Sequence, residues 1–163
     1  MHTPPQQTEL LRRILLVYGG HAAGRTEQLV GAVTHGVLSA GDEVSLTSRH
    51  ALQCTADDLL AADGLLLGTP EHFGYMSGAL KDFFDRTYYP AEGKTLGLAY
   101  GLFVSAGSDG TGTVRAVERI AIGYGWNAFS PPLIVIGEPD KAALQHAWEL
   151  GATLANGLIA GIF

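Results

Sequence analysis

Short, uninterrupted apolar runs recur along the chain and predict strands that are buried on both faces. The clearest runs are "RILLVYG" (13–19), "DGLLLGT" (63–69) and "PPLIVIG" (131–137), and two further strands are predicted at 43–48 and within 95–107. Continuous runs, rather than strict alternation, are typical of parallel strands that helices cover. The pattern therefore predicts five strands in a largely buried sheet.

Between these runs, apolar residues recur at three- and four-residue spacing, which predicts a helix after each strand. A short helix is expected after Thr55, because Thr55 and Asp58 have the spacing of a capping box. The apolar positions that define the four longer helices are Leu29, Val33 and Val37; Met76, Leu80, Phe83, Phe84 and Thr87; Val114, Val117, Ala121 and Tyr124; and Leu144, Trp148, Gly151, Leu154 and Leu158.

This order of elements predicts an α/β fold. Strands that alternate with helices over short connections require a doubly wound, five-stranded parallel sheet with helices on both faces. We expect residues 13–163 to form this single domain and residues 1–12, which include two prolines, to form a flexible tail.

Composition narrows the possible partners. The formal net charge of the 163-residue chain is −6, and its Lys and Arg residues form no cluster. Nucleic acids and anionic membranes require a basic footprint, so neither is expected as the main partner.

Cys54 is the single cysteine, which excludes an intrachain disulfide, and the histidines show no metal-ligand spacing. No apolar window approaches the ~18 residues of a membrane span, and the first residues lack a signal-peptide h-region, so a cytoplasmic protein is predicted.

Three loops form the candidate ligand site. In a doubly wound sheet, ligands bind beyond the carboxyl ends of the strands, where the strand order reverses. This rule selects a first loop "GGHAAGRT" (19–26), a second loop "TPEHFGYMSG" (69–78) and a third loop "SAGSDGTGT" (105–113). These loops are also among the richest in glycine and hydroxyl groups.

The first loop has several possible interpretations. From Gly19 it matches G-x-x-x-x-G-R-T, but Arg25 replaces the lysine of an ATPase phosphate loop, and neither of the next two buried strands ends in the metal-binding Asp. The glycines also lack the G-x-G-x-x-G spacing of dinucleotide-binding proteins, and the acidic cluster of a receiver domain is missing. Two readings remain: an anion site at a helix N-terminus, or a turn that binds no ligand.

The second loop has a composition that suits a flat ring. Phe73 or Tyr75 would supply apolar contact area, and N–H groups near 71–74 would reach acceptor atoms of the ring. The alternative is that both aromatics are ordinary core or lid residues.

The residues from Gly68 to Pro90 closely resemble a known family. The pattern "GTP…FG.MSG.LK.F.DRT" is similar to the flavin-ring loop and following helix of the flavodoxin-like NAD(P)H:quinone and FMN reductases. It is most similar to the branch of that family that includes the tryptophan-repressor-binding-protein type. The stretch "LFVSAGSDGTGTVRAVERI" resembles the third flavin loop of that family. The resemblance covers nearly the whole chain after about Arg12 and implies a flavodoxin-like fold with an FMN cofactor.

The resemblance also implies a role for the first loop. In the family this loop reads roughly S-x-T-G-x-T and binds the FMN phosphate. Here "HAAGRT" keeps Gly24 and Thr26 but has His21 and Ala23 in place of two hydroxyl residues. We interpret it as a modified FMN phosphate loop, in which the loss of two hydroxyl donors weakens phosphate binding unless His21 or Arg25 compensates.

The cofactor-binding residues implied by the resemblance lie in all three loops, and no metal ligand is among them. His72 is the candidate proton donor to a quinone oxygen. The implied contacts are His21, Ala23, Gly24, Arg25 and Thr26; Thr69, Pro70, Glu71, His72, Phe73 and Gly74; and Ser105, Ala106, Gly107, Ser108, Asp109 and Gly110.

The implied function is NAD(P)H-dependent, two-electron reduction of a quinone or free flavin by an FMN enzyme, with either NADH or NADPH as donor. A homodimer is expected, because related reductases often place the active site at a subunit interface. Two alternatives remain open: a flavodoxin-like electron carrier that receives electrons from a protein partner, and a degenerate domain that keeps the fold without flavin.

Overall fold

The computed structural model describes residues 10–21 and 23–163, so most of the predicted tail lies outside the described residues. These residues form six strands and five α-helices, and a short 3-10 helix, Ala51–Gln53, follows the second strand. In chain order the elements are β1 (Arg12–Tyr18), α1 (Arg25–Leu38), β2 (Val44–His50), α2 (Ala56–Leu60), β3 (Gly64–Pro70), α3 (Gly78–Ala91), β4 (Ala99–Ala106), α4 (Thr111–Tyr124), β5 (Asn127–Ala128), β6 (Leu133–Ile136) and α5 (Lys141–Ile159).

All paired strands are parallel, and the sheet order is β2-β1-β3-β4, with β5 and β6 both beside β4. The doubly wound parallel sheet is therefore confirmed. The position next to β4 differs from the prediction of one continuous strand at 131–137. There β5 pairs with Ala99 and Tyr100, and β6 pairs with Phe103 through Ala106. Pro131 and Pro132 lie between the two pieces, where the missing N–H groups cannot interrupt a ladder.

Each face of the sheet carries its own apolar core. Leu15 and Val17 of β1 point to one core, and Ile14 and Leu16 point to the other, as the alternation of a strand requires. Helices α2, α3 and α4 cover the first face, and α1 and α5 cover the second. Most of the predicted helix positions lie in these cores, whereas the Trp148 side chain is exposed.

Helices α1 and α5 touch through their backbones. A Cβ atom on Gly36 would lie 1.9 Å from the Trp148 carbonyl oxygen, and one on Gly151 would lie 2.2 Å from the Val33 carbonyl oxygen. Any side chain at either glycine would therefore push the two helices apart.

Strand β4 begins four residues later than the predicted segment, at Ala99. Residues 95–98 instead form a turn, in which the Leu98 N–H donates to the Thr95 carbonyl and Gly97 has a φ of 78°. The Thr95 hydroxyl accepts a hydrogen bond from the Trp126 indole at 2.9 Å. This buried partner explains why Thr95 lies outside the ladder.

Two local predictions for α2 and α3 are confirmed. The capping box of Thr55 and Asp58 is present in full, and Arg86 pairs with Asp82 at 2.6 Å. The Arg86 guanidinium also donates to the carbonyl of Cys54, which anchors the segment between β2 and α2. Cys54 is fully buried, and its burial raises the pKa of the thiol to about 12, so the thiol is neutral and unreactive at ordinary pH.

Candidate functional site

A cleft of about 250 Å³ lies at the carboxyl ends of β1, β3 and β4. The sheet order places the end of β3 between those of β1 and β4, which brings the three predicted loops together. Gly20 borders the cleft although it was not among the predicted contacts. The lining residues are Gly20, His21, Gly24, Arg25, Thr26, Pro70, Glu71, His72, Ser105, Ala106 and Gly107.

The amino end of α1 opens onto this cleft without a side-chain cap. Its N-cap is Gly24, and no side chain in the described part of the chain caps it. The N-cap of α4, Gly110, likewise has no side-chain cap, whereas Thr55, Ser77 and Asp140, the N-caps of α2, α3 and α5, each accept a backbone hydrogen bond. The N–H groups of an uncapped first turn and the helix dipole together favour an anion.

Beyond Gly19, whose N–H donates to the Gly68 carbonyl at 2.9 Å, the described residues of the first loop make few contacts. The Gly24 N–H donates to the His21 carbonyl at 3.2 Å, and the His50 Nε2 atom lies 3.2 Å from the Gly20 carbonyl oxygen. Ala23 has a φ of 61°, a left-handed conformation that is costly for a residue with a Cβ. The loop therefore combines strain with weak support.

Arg25 is paired in this structure. Its Nε atom lies 3.1 Å from a carboxylate oxygen of Glu138, which follows β6, and Gln28 contacts the same carboxylate. Both side chains of the ion pair are largely exposed, so the pair is weak and its charge is accessible to a ligand. Glu138 was not predicted as a site residue, because it lies 113 residues from Arg25 along the chain.

The second loop forms a tight hairpin. The N–H and carbonyl groups of His72 and Tyr75 exchange hydrogen bonds at 2.8 and 3.0 Å. Phe73 and Gly74, the two central residues, have φ values of 53° and 74°, as in a type I′ turn. The Phe73 ring is fully exposed, and Tyr75 is 41% exposed. Neither aromatic is a core residue, so the core interpretation of these two rings is wrong.

The tip of this hairpin has unused donors. Within residues 10–21 and 23–163, no acceptor is found for the N–H groups of Phe73 and Gly74. These groups are available to hydrogen-bond acceptor atoms of a ligand or of solvent.

Glu71 connects the second loop to the third. Its carboxylate oxygens accept hydrogen bonds from the N–H groups of Ser108 and Gly110 at 2.7 and 2.8 Å. Its own N–H donates to the Ser105 carbonyl at 2.8 Å. Ser108 and Gly110, which the resemblance implied as cofactor contacts, therefore use their N–H groups within the protein.

Asp109 and Thr69 also make contacts inside the protein. The Asp109 carboxylate accepts from the N–H and hydroxyl of Thr111, and these hydrogen bonds lower the pKa of Asp109. Thr69 is fully buried, and its hydroxyl accepts from the Ser77 N–H at 3.0 Å. A Cβ atom on Gly19 would lie 2.0 Å from the Ser77 hydroxyl oxygen, so the start of the first loop requires glycine. Ser77 and Gly19 lie in the predicted loops, but their supporting role was not predicted.

His21 and His72 lie opposite each other at the cleft. Their ring centroids are 6.4 Å apart, with an angle of 32° between the ring planes. Both side chains are exposed and both line the cleft. A polar group that enters between the first and second loops would therefore meet an imidazole on each side.

Two negative findings concern the described residues only. Among them, no three His, Cys, Asp or Glu side chains come together as a metal site. Among residues 10–21 and 23–163, there is no helix that is both long enough and apolar enough to cross a membrane.

Relatives and solved structures agree with this architecture. The chain is 34% identical over 148 residues to a flavodoxin from Aquifex aeolicus, covering 88% of this chain and 75% of the relative. It is 29% identical over 150 residues to an NAD(P)H dehydrogenase (quinone) from Acidithiobacillus ferrooxidans, covering 79% and 72%.

Solved structures support the fold. An archaeal flavodoxin superposes with a TM-score of 0.79 at 20% identity, over 90% of this chain and 99% of that one. A WrbA-like flavodoxin from Agrobacterium tumefaciens superposes with a TM-score of 0.68 at 22% identity, over 91% and 98%.

The sequence model of one family, described as NADPH-dependent FMN reductase, matches residues 35–136. The matched region contains the second and third loops and excludes the altered first loop. The predicted family is confirmed, and the chain belongs to the NADPH-dependent FMN reductases.

Proposed function

We propose that the protein is an FMN-dependent oxidoreductase that takes a hydride from NADH or NADPH and reduces a small acceptor, a quinone or free flavin. Membership of the FMN reductase family and the quinone dehydrogenase relatives support this proposal. The observation that carries it is a cleft bordered on one side by an uncapped helix N-terminus and on the other by the second loop.

The first loop suits the phosphate of the cofactor. The N–H groups of the first turn of α1 and the nearly buried Thr26 border the cleft, and the charge of Arg25 lies beside them. His21 contributes a ring nitrogen where the family has a hydroxyl. Beside the helix dipole, which an anion prefers, the cation of Arg25 and the ring nitrogen of His21 would stand in for the two missing hydroxyl donors.

The second loop suits the ring of the cofactor. The N–H groups of Phe73 and Gly74 supply donors, and the adjacent aromatic side chains supply apolar area. Once bound, FMN would supply the hydride chemistry, whereas the protein supplies placement and electrostatics. The cleft itself is smaller than the roughly 300–1,000 Å³ of typical ligand pockets, so part of the ring would remain accessible to a second substrate.

His72 is proposed to hold a proton for the acceptor. Its exposed imidazole borders the cleft at the second loop, within reach of a quinone that enters from the open side. A positioned imidazole that donates a proton in this way accelerates a reaction by roughly 100- to 10,000-fold.

A second candidate function is an electron carrier. The flavodoxin relative supports it, and a net charge of −6 suits docking to a basic reductase. The third candidate, a domain that has lost flavin, is supported by His21 and Ala23 in the first loop.

The test begins with fluorescence titrations of the flavin-free protein with FMN and with riboflavin. We expect tight binding of FMN and weaker binding of riboflavin, since only FMN carries the phosphate. We then expect NAD(P)H oxidation with a quinone, an azo dye or ferricyanide as acceptor. Flavin binding without any such turnover would favour the carrier, which should also take up electrons singly in an anaerobic titration. Equal, weak binding of both flavins would favour the degenerate domain.

A homodimer and a cytoplasmic location are further parts of this proposal. Exposed aromatic area at the end of α3, including Tyr89, supports a subunit contact. Sedimentation velocity of the flavin-bound protein would test the dimer.

A further inference from the structure

We propose that Glu71 is a positioning residue that joins the second and third loops into one unit and so fixes the ring end of the flavin site. The inference rests on the proposed function, because it concerns how the cofactor of that function is held. It assigns Glu71 a role other than direct contact with the cofactor.

Three hydrogen bonds carry this inference. Glu71 donates its N–H to Ser105 at the end of β4, and its two carboxylate oxygens accept from Ser108 and Gly110. The two donors are separated by one residue, Asp109, so a single carboxylate spans the turn that leads into α4. Hydrogen bonds to an ionised acceptor are roughly twice as strong as neutral ones.

The same two loops meet again at the hairpin tip. A Cβ atom on Gly112 would lie 2.3 Å from the Gly74 carbonyl oxygen, so the tip rests directly on the first turn of α4. The second loop is therefore fixed at its base by Glu71 and at its tip by Gly74. As a result, the unused N–H groups of Phe73 and Gly74 have a defined position relative to β4.

The charge and length of Glu71 both matter for this role. A glutamine would offer one acceptor oxygen and an NH₂ group, which would face an N–H donor without any acceptor between them. An aspartate keeps the charge but is shorter by one methylene, so it reaches one donor rather than both. Each change should release one side of the third loop.

The chain offers a matched control at the opposite end of β3. Asp63 precedes β3, and its carboxylate accepts a hydrogen bond from the Arg13 N–H at 2.8 Å. Like Glu71, it joins neighbouring parts of the sheet through a backbone N–H. It lies at the amino ends of β1 and β3, away from the cleft.

The test compares Glu71→Gln with Asp63→Asn in flavin binding. We expect E71Q to weaken FMN and riboflavin by the same factor, about tenfold or more, because the two ligands share the ring and a charge-assisted hydrogen bond is lost. D63N should bind both flavins as the wild type does. Glu71→Asp should lose less affinity than E71Q, because aspartate keeps the charge and places no NH₂ group against an N–H donor. Wild-type affinity in E71Q, or a loss confined to FMN, would overturn the proposal.

Hydrogen exchange of the flavin-free protein supplies an independent readout. E71Q should accelerate amide exchange at 71–76 and 107–112, and D63N should leave both segments unchanged. If the wild type binds neither flavin, the proposed function fails. The exchange rates then decide whether Glu71 couples the loops, and unchanged rates in E71Q would refute the coupling.

Discussion

The first loop and the second loop border the same cleft but are held in different ways. The second loop is joined to the third through both oxygens of Glu71 and through the contact of Gly74 with Gly112. The first loop is anchored at its start, where the Gly19 N–H donates to the Gly68 carbonyl at 2.9 Å. Beyond that point, the contacts seen for its described residues with other parts of the chain are those of His50 with Gly20 and the exposed ion pair of Arg25. It also contains a strained residue, Ala23.

This difference suggests that the second loop positions the ring of the ligand and the first loop binds its phosphate. A ring must be placed accurately for hydride transfer, so the loop assigned to it is fixed by short contacts. A phosphate is recognised mainly by charge and by N–H groups, which tolerate small movements. Substitutions in the second loop should therefore affect both flavins, and substitutions in the first should affect FMN alone.

The largest effect is expected from Gly112→Ala. The added Cβ would meet the Gly74 carbonyl oxygen, and neither backbone can move freely, so the hairpin must shift. Overpacking of this kind costs about 1–3 kcal/mol of stability, and a shift near 1 Å lowers a rate by on the order of 100-fold. Steady-state kcat/KM with a quinone and the riboflavin affinity should both fall. Gly123→Ala, near the other end of the same helix, is the control, since a Cβ there meets nothing within 4 Å. Equal kinetics in the two variants would contradict the tight contact.

A smaller effect is expected from His50→Ala, which removes the contact with the Gly20 carbonyl. A neutral hydrogen bond contributes about 0.5–1.5 kcal/mol, so FMN affinity should fall about fivefold. Riboflavin affinity should stay unchanged, as measured by fluorescence titration. His146→Ala, at an exposed position of α5, is the control. A parallel loss of riboflavin affinity would mean that the two loops are not independent.

Glu138→Gln should increase FMN affinity. The change releases Arg25 from its ion pair, and an exposed pair of this kind contributes up to about 1 kcal/mol. We expect a gain of about threefold at low salt, which should shrink as the ionic strength rises. Riboflavin binding should not change, and neither should FMN binding by the control Glu149→Gln. A loss of FMN affinity would show that Glu138 positions Arg25 productively.

The smallest effect is expected from Ala23→Gly. Glycine adopts a φ of 61° without steric cost, although it loses more entropy on folding. The net result should be a gain of roughly 0.5 kcal/mol in the free energy of unfolding, measured by urea denaturation. Ala142→Gly in the first turn of α5 should instead be destabilising. A loss of stability in A23G would indicate that the left-handed conformation is not the one populated in solution.

The secondary structure could be predicted because burial leaves a regular pattern in the sequence. Strands covered on both faces, such as β1 and β3, read as continuous apolar runs, and α4 shows its packing face at helical spacing. Two-residue β5 has no such pattern, since its residues are exposed and its pairing depends on Tyr100. Its position is a consequence of tertiary structure alone.

The location of the cleft could be predicted, but the hydrogen bonds and contacts between its loops could not. The rule for doubly wound sheets identified the loops, whereas the contacts between them join residues far apart in sequence. Glu71 and Ser108 are 37 positions apart, and nothing in the local sequence of either indicates the other. Glu71 was therefore expected to bind the cofactor, as were Ser108 and Gly110. These residue assignments stay predictions until a flavin complex is measured.

The contact between α1 and α5 has a consequence for long-range control of the site. Helix α5 does not line the cleft, yet its backbone touches α1 at Gly36, 12 residues from the N-cap Gly24. A helix of that length extends about 18 Å and moves nearly as a rigid rod. A side chain introduced at Gly36 or Gly151 would therefore tilt α1 and displace its amino end at the cleft. Evolution can thus adjust ligand affinity through residues on the far side of the molecule that never meet the ligand.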